Sequence, residues 1–168
     1  ARVVLQRVAT SLEELKAIQV EELRTKAEVT SLAIIRPREI RDLVAEPTES
    51  EWKPAFRAEL QQARIWEDRN ESLQLPRKVP FKFKYVFTCD DPRCRGHKMM
   101  NEDWELGRFY WRLIDDGATS AEAIGGVRNK FFGQLCGSDK DTHFYLGTVL
   151  SHLKSWMVIG VWWPKKQK

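Results

Sequence analysis

The chain has 168 residues, 42% of them hydrophobic and 31% charged, enough apolar material for one domain with a real core. No apolar run reaches the roughly 18 residues of a membrane helix, and Ala1-Arg2-Val3-Val4 lacks the charged head and apolar middle of a secretion signal, so a cytoplasmic protein with no membrane partner is predicted. Three cysteines, an odd number, point to a reducing compartment rather than a disulfide framework, and a net charge of +4 with a pI near 9.0 permits an anionic partner without requiring one.

A start at Ala1, inside a strand-like run, leads us to expect a fragment of a longer chain. The first clear element is a helix over residues 11–26, where Ser11 and Glu14 match a capping box and Leu12, Leu15, Ile18 and Leu23 make an apolar face. Residues 32–35, stopped by Pro37, and residues 40–45 read as short strands. Residues 51–65 have helical composition with Pro54 in the first turn, and residues 66–79 read as a charged surface connection.

The second half has stronger patterning. Residues 81–88 alternate strictly, with Phe81, Phe83, Tyr85 and Phe87 on one face and Lys82, Lys84, Val86 and Thr88 on the other. Residues 103–114 form a helix with Leu106, Phe109, Tyr110 and Leu113 on one side and Trp104 and Trp111 on another, a pattern that predicts burial between layers. A further helix opens at the Thr119 and Glu122 capping box, carries Ile124, Val127, Phe131 and Leu135, and is weakened by Gly125 and Gly126. Residues 142–150 and 155–163 read as a hairpin whose last strand is apolar on both faces, hence central in its sheet or covered on both sides. By base rate most of the seven tryptophans belong to the core, although Trp162-Trp163 before a basic tail also suits a contact surface. The prediction is an α+β fold: an antiparallel sheet of strand 81–88 plus the C-terminal hairpin 142–163, packed with helices. A helical and short-strand part, residues 1–65, precedes the sheet core of residues 80–164 within one domain, residues 1–168.

Between that strand and the next helix lies Cys89-Asp90-Asp91-Pro92-Arg93-Cys94-Arg95-Gly96-His97. Thiolate and imidazole are preferred zinc ligands, and the C-x4-C-x2-H spacing allows a tight chelate loop. Three ligands fall short of the four of a closed site, leaving His143, Cys136 or a residue brought in by the fold to complete it. The plainer reading is a strand-closing turn: Cys89 a small buried residue, Asp91-Pro92 a turn, Gly96 relieving a positive φ and His97 bonding locally. A catalytic reading pairs Cys94 with His97, or His97 with acidic residues of the following helix in a metal-dependent hydrolase such as a nuclease. Asp103 and Glu105 would point to opposite sides of that helix, whereas Glu102 and Glu105 share one.

Arg77, Lys78, Lys82, Lys84, Arg93, Arg95 and Lys98 stand against only Asp90 and Asp91 over residues 77–98. A stripe of that density suits phosphate contacts with DNA or RNA, and its alternative is a solvated outer face guarding a strand edge.

The turn with Lys98, Met99 and Asp103-Trp104-Glu105 is one of several linked motifs. The others are Asp141-Thr142-His143-Phe144-Tyr145-Leu146-Gly147-Thr148, Ser155-Trp156-Met157-Val158-Ile159-Gly160-Val161, and residues 30–40. Together they resemble an uncharacterised family of bacterial and archaeal proteins, over most of residues 30–164. The resemblance implies no activity and implies an additional β-rich N-terminal region. Cys136 and Lys140 stand outside its pattern, and the pattern tolerates other residues at His143. The functional expectation is a nucleic-acid-associated binding module with a zinc-binding turn. Its alternatives are the metal-dependent hydrolase and a protein-interaction domain of a larger assembly with other subunits.

Overall fold

A computed structural model describes residues 2–3, 9, 11–55, 58, 77–149 and 152–166. Most of the helix expected over residues 51–65, the connection 66–79 up to residue 76, and residues 150–151 of the hairpin turn lie outside the described residues. The described elements are β1 (Arg2–Val3), α1 (Leu12–Arg24), β2 (Thr30–Ile35), β3 (Glu39–Pro47), β4 (Phe81–Thr88), β5 (His97–Met100), α2 (Trp104–Asp115), α3 (Ser120–Arg128), β6 (His143–Val149) and β7 (His152–Trp162). A π-helical turn, Asn129–Gln134, continues α3. The fold is α+β, and among these residues no helix is long and apolar enough to cross a membrane.

The strands form two sheets rather than the single one predicted. One runs β1-β2-β6-β7, antiparallel except for the parallel β1–β2 pair, and the other is the antiparallel β3-β4-β5. Strand β4 therefore does not pair with the C-terminal hairpin, because β3 and β5 occupy both its edges. The four residues of β5, His-Lys-Met-Met, lack the β-branched and aromatic signature of a strand, which hides that partner from sequence patterning.

The alternation in β4 holds: Phe83, Tyr85 and Phe87 are buried. Phe144 of the other sheet meets them, its ring centroid 4.5 Å from Tyr85 and 5.4 Å from Phe87, so the inner faces of the two sheets close on aromatic contacts. Tyr110 of α2 packs against Phe81 and Phe83, and the Tyr85 hydroxyl donates to the Phe131 carbonyl at 2.8 Å. Helix α3 has both halves of its capping box in place at Thr119 and Glu122. Gly126 lies where α2 comes close, and a Cβ there would stand 2.6 Å from the Leu113 Cδ1.

Three packing expectations are corrected. Helix α2 is not covered on two sides, because Trp104 is 65% exposed and Trp111 lies under the Arg77 guanidinium, 3.7 Å from its ring centre. Strand β7 is an edge strand, held by β6 on one side and, on the other, by an isolated bridge from Asn101 to Val158. A bulge at Ile159 explains its two apolar faces: Tyr145 faces Gly160 while Leu146 faces Val158, so Val161 joins Val158 in the core and Ile159 turns outward. Among the described tryptophans only Trp156 is buried, and Trp104, Trp162 and Trp163 are exposed.

In α1 the buried stripe is Leu12, Leu15, Gln19 and Glu22, one helical face at spacings of three and four, while Leu23 is 42% exposed. Its second half is polar and hydrogen-bonded, although the Gln19 Oε1 has no hydrogen-bond partner among the described residues. The Gln19 amide donates to the Thr30 and Leu153 carbonyls at 2.8 and 2.7 Å, and the Glu22 carboxylate accepts from the Thr30 N–H and hydroxyl at 2.7 and 2.6 Å. These bonds tie α1 to β2 and β7 and fix where its N-terminus points.

Candidate metal centre

Strand alternation carries the buried face of β4 one residue past its end, from Phe87 to Cys89. The β4–β5 register sets His97 directly opposite Phe87 and so on the same face. The turn between them is built by its own polar groups: the Asp91 carboxylate accepts from the Arg93 N–H at 2.9 Å, the Cys94 N–H donates to the Asp91 carbonyl at 2.9 Å, and Gly96 takes φ +98°. That path turns Cys94 inward. Its Sγ lies 3.3 Å from the His97 Nε2 and accepts from the Cys89 N–H at 3.2 Å.

The ligand atoms of Cys89, Cys94 and His97 all lie within 4.8 Å of one another, a set able to hold a metal ion. Bond lengths of about 2.3 Å for Zn–S and about 2.0 Å for Zn–N at a tetrahedral angle put ligand atoms roughly 3.3 to 3.8 Å apart. The Cys94–His97 separation is at that spacing already.

The N-terminus of α1 covers the set. Ser11 caps the helix by accepting from the Glu14 N–H at 3.0 Å. Burial pushes the Cys89 thiol up to about 12, opposed by a hydrogen bond from the Leu12 backbone. Arg93 holds the Asp91 carboxyl below its ordinary range, with the Ser11 side chain assisting. Glu13, in the same turn, places its Oε2 3.7 Å from the His97 Nε2. This oxygen is buried and has no hydrogen-bond partner. Burial lowers the His97 pKa and favours the neutral, metal-ligating imidazole, while Glu13 raises it and Lys16 lowers it further. Glu13 stands beside this set and outside it: its side chain is 40% exposed, and only Cys89, Cys94 and His97 place ligand atoms within 4.8 Å of one another.

Sequence reasoning missed Glu13 because an acidic residue in a first helical turn reads as a complement to the helix dipole. Its role depends on where α1 docks. The other proposed fourth ligands are elsewhere. His143 lies on β6, its Nδ1 2.9 Å from the Asp141 carbonyl and its ring 5.0 Å from that of Trp162, and the Cys136 thiol donates to the Phe131 carbonyl at 3.3 Å. The acids around α2 do not join the set either: the Asp103 carboxylate caps α2 by accepting from the Glu105 N–H at 2.9 Å.

The basic stripe is dispersed by its partners. Lys84 and Lys98 both pair with Glu46 of β3, whose carboxyl they hold down to about 2. Arg93 pairs with Asp91 and Arg77 with Asp115, and Lys78 donates to the Glu51 carbonyl. Lys82 and Arg95 make no ion pair among the described residues. Counting charges over residues 77–98 overlooked the acids that β3 and α2 bring alongside.

A family model for a domain of unknown function, DUF8757, matches residues 8–168. The chain belongs to this family. The match covers every described strand but β1, the Cys/His turn and the helix that covers it, so the DUF8757 domain contains every residue of the candidate centre. No curated protein and no solved structure matches the chain.

Proposed function

We propose that this DUF8757 domain is a zinc-binding module, in which Cys89, Cys94 and His97 hold the ion and Glu13 closes the coordination. Zinc suits two thiolates, an imidazole and a carboxylate, and a ligand set that leaves no position for substrate serves structure rather than catalysis. The bound ion would tie α1 to the β4–β5 hairpin, and a reducing cytoplasm would keep both thiols available. One observation carries this reading: the ligand atoms of Cys89, Cys94 and His97 lie within 4.8 Å of one another, with the Glu13 Oε2 3.7 Å from the His97 Nε2. Partners of the module, nucleic acid included, are a separate matter. The hairpin's paired cations favour no particular anion.

Metal analysis of protein purified without chelators tests the proposal. One zinc per chain is expected, with thiolate-to-metal charge transfer on cobalt substitution, both lost in Cys94→Ser and His97→Ala. Folded protein that carries no metal above a buffer control and takes up no cobalt would overturn it.

A further inference from the structure

A second site lies on the other side of the Cys/His turn, in a cavity of about 360 Å³ between the β2–β3 connection, the loop after the π-helical turn, and the C-terminal tail. Its charge comes from Arg36, Arg38, Lys140 and Lys166, against Asp90 and Asp141. We propose that this cavity binds the phosphate of a small phosphomonoester.

The walls are held by main-chain bonds rather than by flexible side chains. The Arg38 N–H donates to the Thr88 carbonyl at 2.8 Å, the Asp141 N–H to the Pro164 carbonyl at 2.8 Å, and the Lys166 N–H to the Asp139 carbonyl at 2.9 Å. Pro37 restricts the backbone of Arg36. The basic tail is therefore folded back onto the loop, with Lys140 and Lys165 bridged, and its charge is directed to one place. Two of the four cations already have partners: Arg36 pairs with Asp141 at 2.7 Å and Lys140 with Asp139 at 3.0 Å. Arg38 and Lys166 have none among the described residues, and both are exposed.

Two uncommitted cations and a lining with two more positive than negative groups match a dianion better than a single carboxylate. A phosphomonoester carries about −1.5 to −2 at neutral pH and offers three acceptor oxygens, and guanidinium groups fit those oxygens two at a time. The volume is at the small end of ligand pockets, enough for a phosphate on a short carbon skeleton. Asp90, a lining carboxylate in no ion pair among the described residues, is an acceptor for a hydroxyl on that skeleton. A hydroxylated ester is thereby favoured over free phosphate.

The experiment is calorimetric titration of the wild-type chain as purified with inorganic phosphate, glycerol 3-phosphate, adenosine 5′-monophosphate and a 5′-phosphorylated oligonucleotide at low ionic strength. Saturable binding is expected, tighter for the esters than for inorganic phosphate. It should weaken about tenfold in each of Arg38→Gln and Lys166→Gln and stay unchanged in Lys154→Gln at the far end of β7. Both test positions are on the surface, and circular dichroism verifies that the variants fold. No saturable binding, or equal weakening in all three variants, overturns the proposal. So does binding seen only with a 5′-phosphorylated oligonucleotide, which would make the ligand a nucleic-acid end. The outcome is independent of the zinc reading, which metal content alone decides.

Discussion

The Glu13 Oε2 lies 3.7 Å from the His97 Nε2, although one belongs to the first turn of α1 and the other opens β5. The contact joins a helix to a hairpin beside the Cys89, Cys94 and His97 group. If Glu13 is a ligand, Glu13→Gln removes its charge while keeping its shape. Zinc affinity, measured by competition with a chromophoric chelator, should fall about tenfold to a hundredfold, the range seen when groups that support a metal site are lost. An unchanged affinity would leave Cys89, Cys94 and His97 as the whole protein ligand set.

The Glu46 carboxylate sits between Lys84 of β4 and Lys98 of β5, and their side-chain hydrogen bonds bring its pKa down to about 2 from 4.5. A carboxyl depressed in the fold contributes stability that is complete above its unfolded pKa and is lost as pH falls through the folded value. The contribution of this group should therefore persist above about pH 4.5 and fade from there toward pH 2. Glu46→Gln should lower the urea midpoint at pH 7, where the two lysines face one another uncompensated, and match wild type near pH 2. A deficit of the same size at both pH values would show that the side chain acts by packing.

Gln19 is nearly inaccessible at 1% exposure and bridges the Thr30 and Leu153 carbonyls. Gln19→Ala strands the buried Thr30 acceptor and the part-buried Leu153 acceptor and opens a small cavity. A loss of about 2 to 4 kcal/mol in equilibrium unfolding is expected. A loss below about 0.5 kcal/mol, the size of an ordinary surface change, would mean that water satisfies these carbonyls.

Adjacent glycines in α3 should respond differently. A Cβ on Gly125 meets nothing within 4 Å, so Gly125→Ala should stabilise by about 0.5 to 1 kcal/mol through helix propensity. Gly126→Ala drives its methyl toward Leu113 at 2.6 Å and should lose that gain or reverse it. Equal stabilisation by the two substitutions, read from thermal unfolding, would contradict the close approach of α2 and α3.

By itself the sequence determined the features that depend on neighbours along the chain. The caps at Ser11 and Thr119, the alternation of β4 and the positive φ of Gly96 follow from backbone and side-chain chemistry within a few residues. The same holds for the three-ligand turn, because a hairpin brings Cys89, Cys94 and His97 together whatever surrounds it.

Only the tertiary structure decided what depends on pairing and docking. Strand β4 took β3 and β5 as partners because a four-residue strand without β-branched residues closed its second edge, and the bulge at Ile159 reassigned the faces of β7. Glu46 and Asp115 neutralised cations that look free along the chain, since partners on other elements do not show in local charge counts. Glu13 came to lie beside the Cys/His turn because Gln19 and Glu22 anchor α1 to β2 and β7 and so aim its first turn at the hairpin. A helix's pattern records which face is buried, whereas the group that face meets is settled by the docking energy of the assembled core.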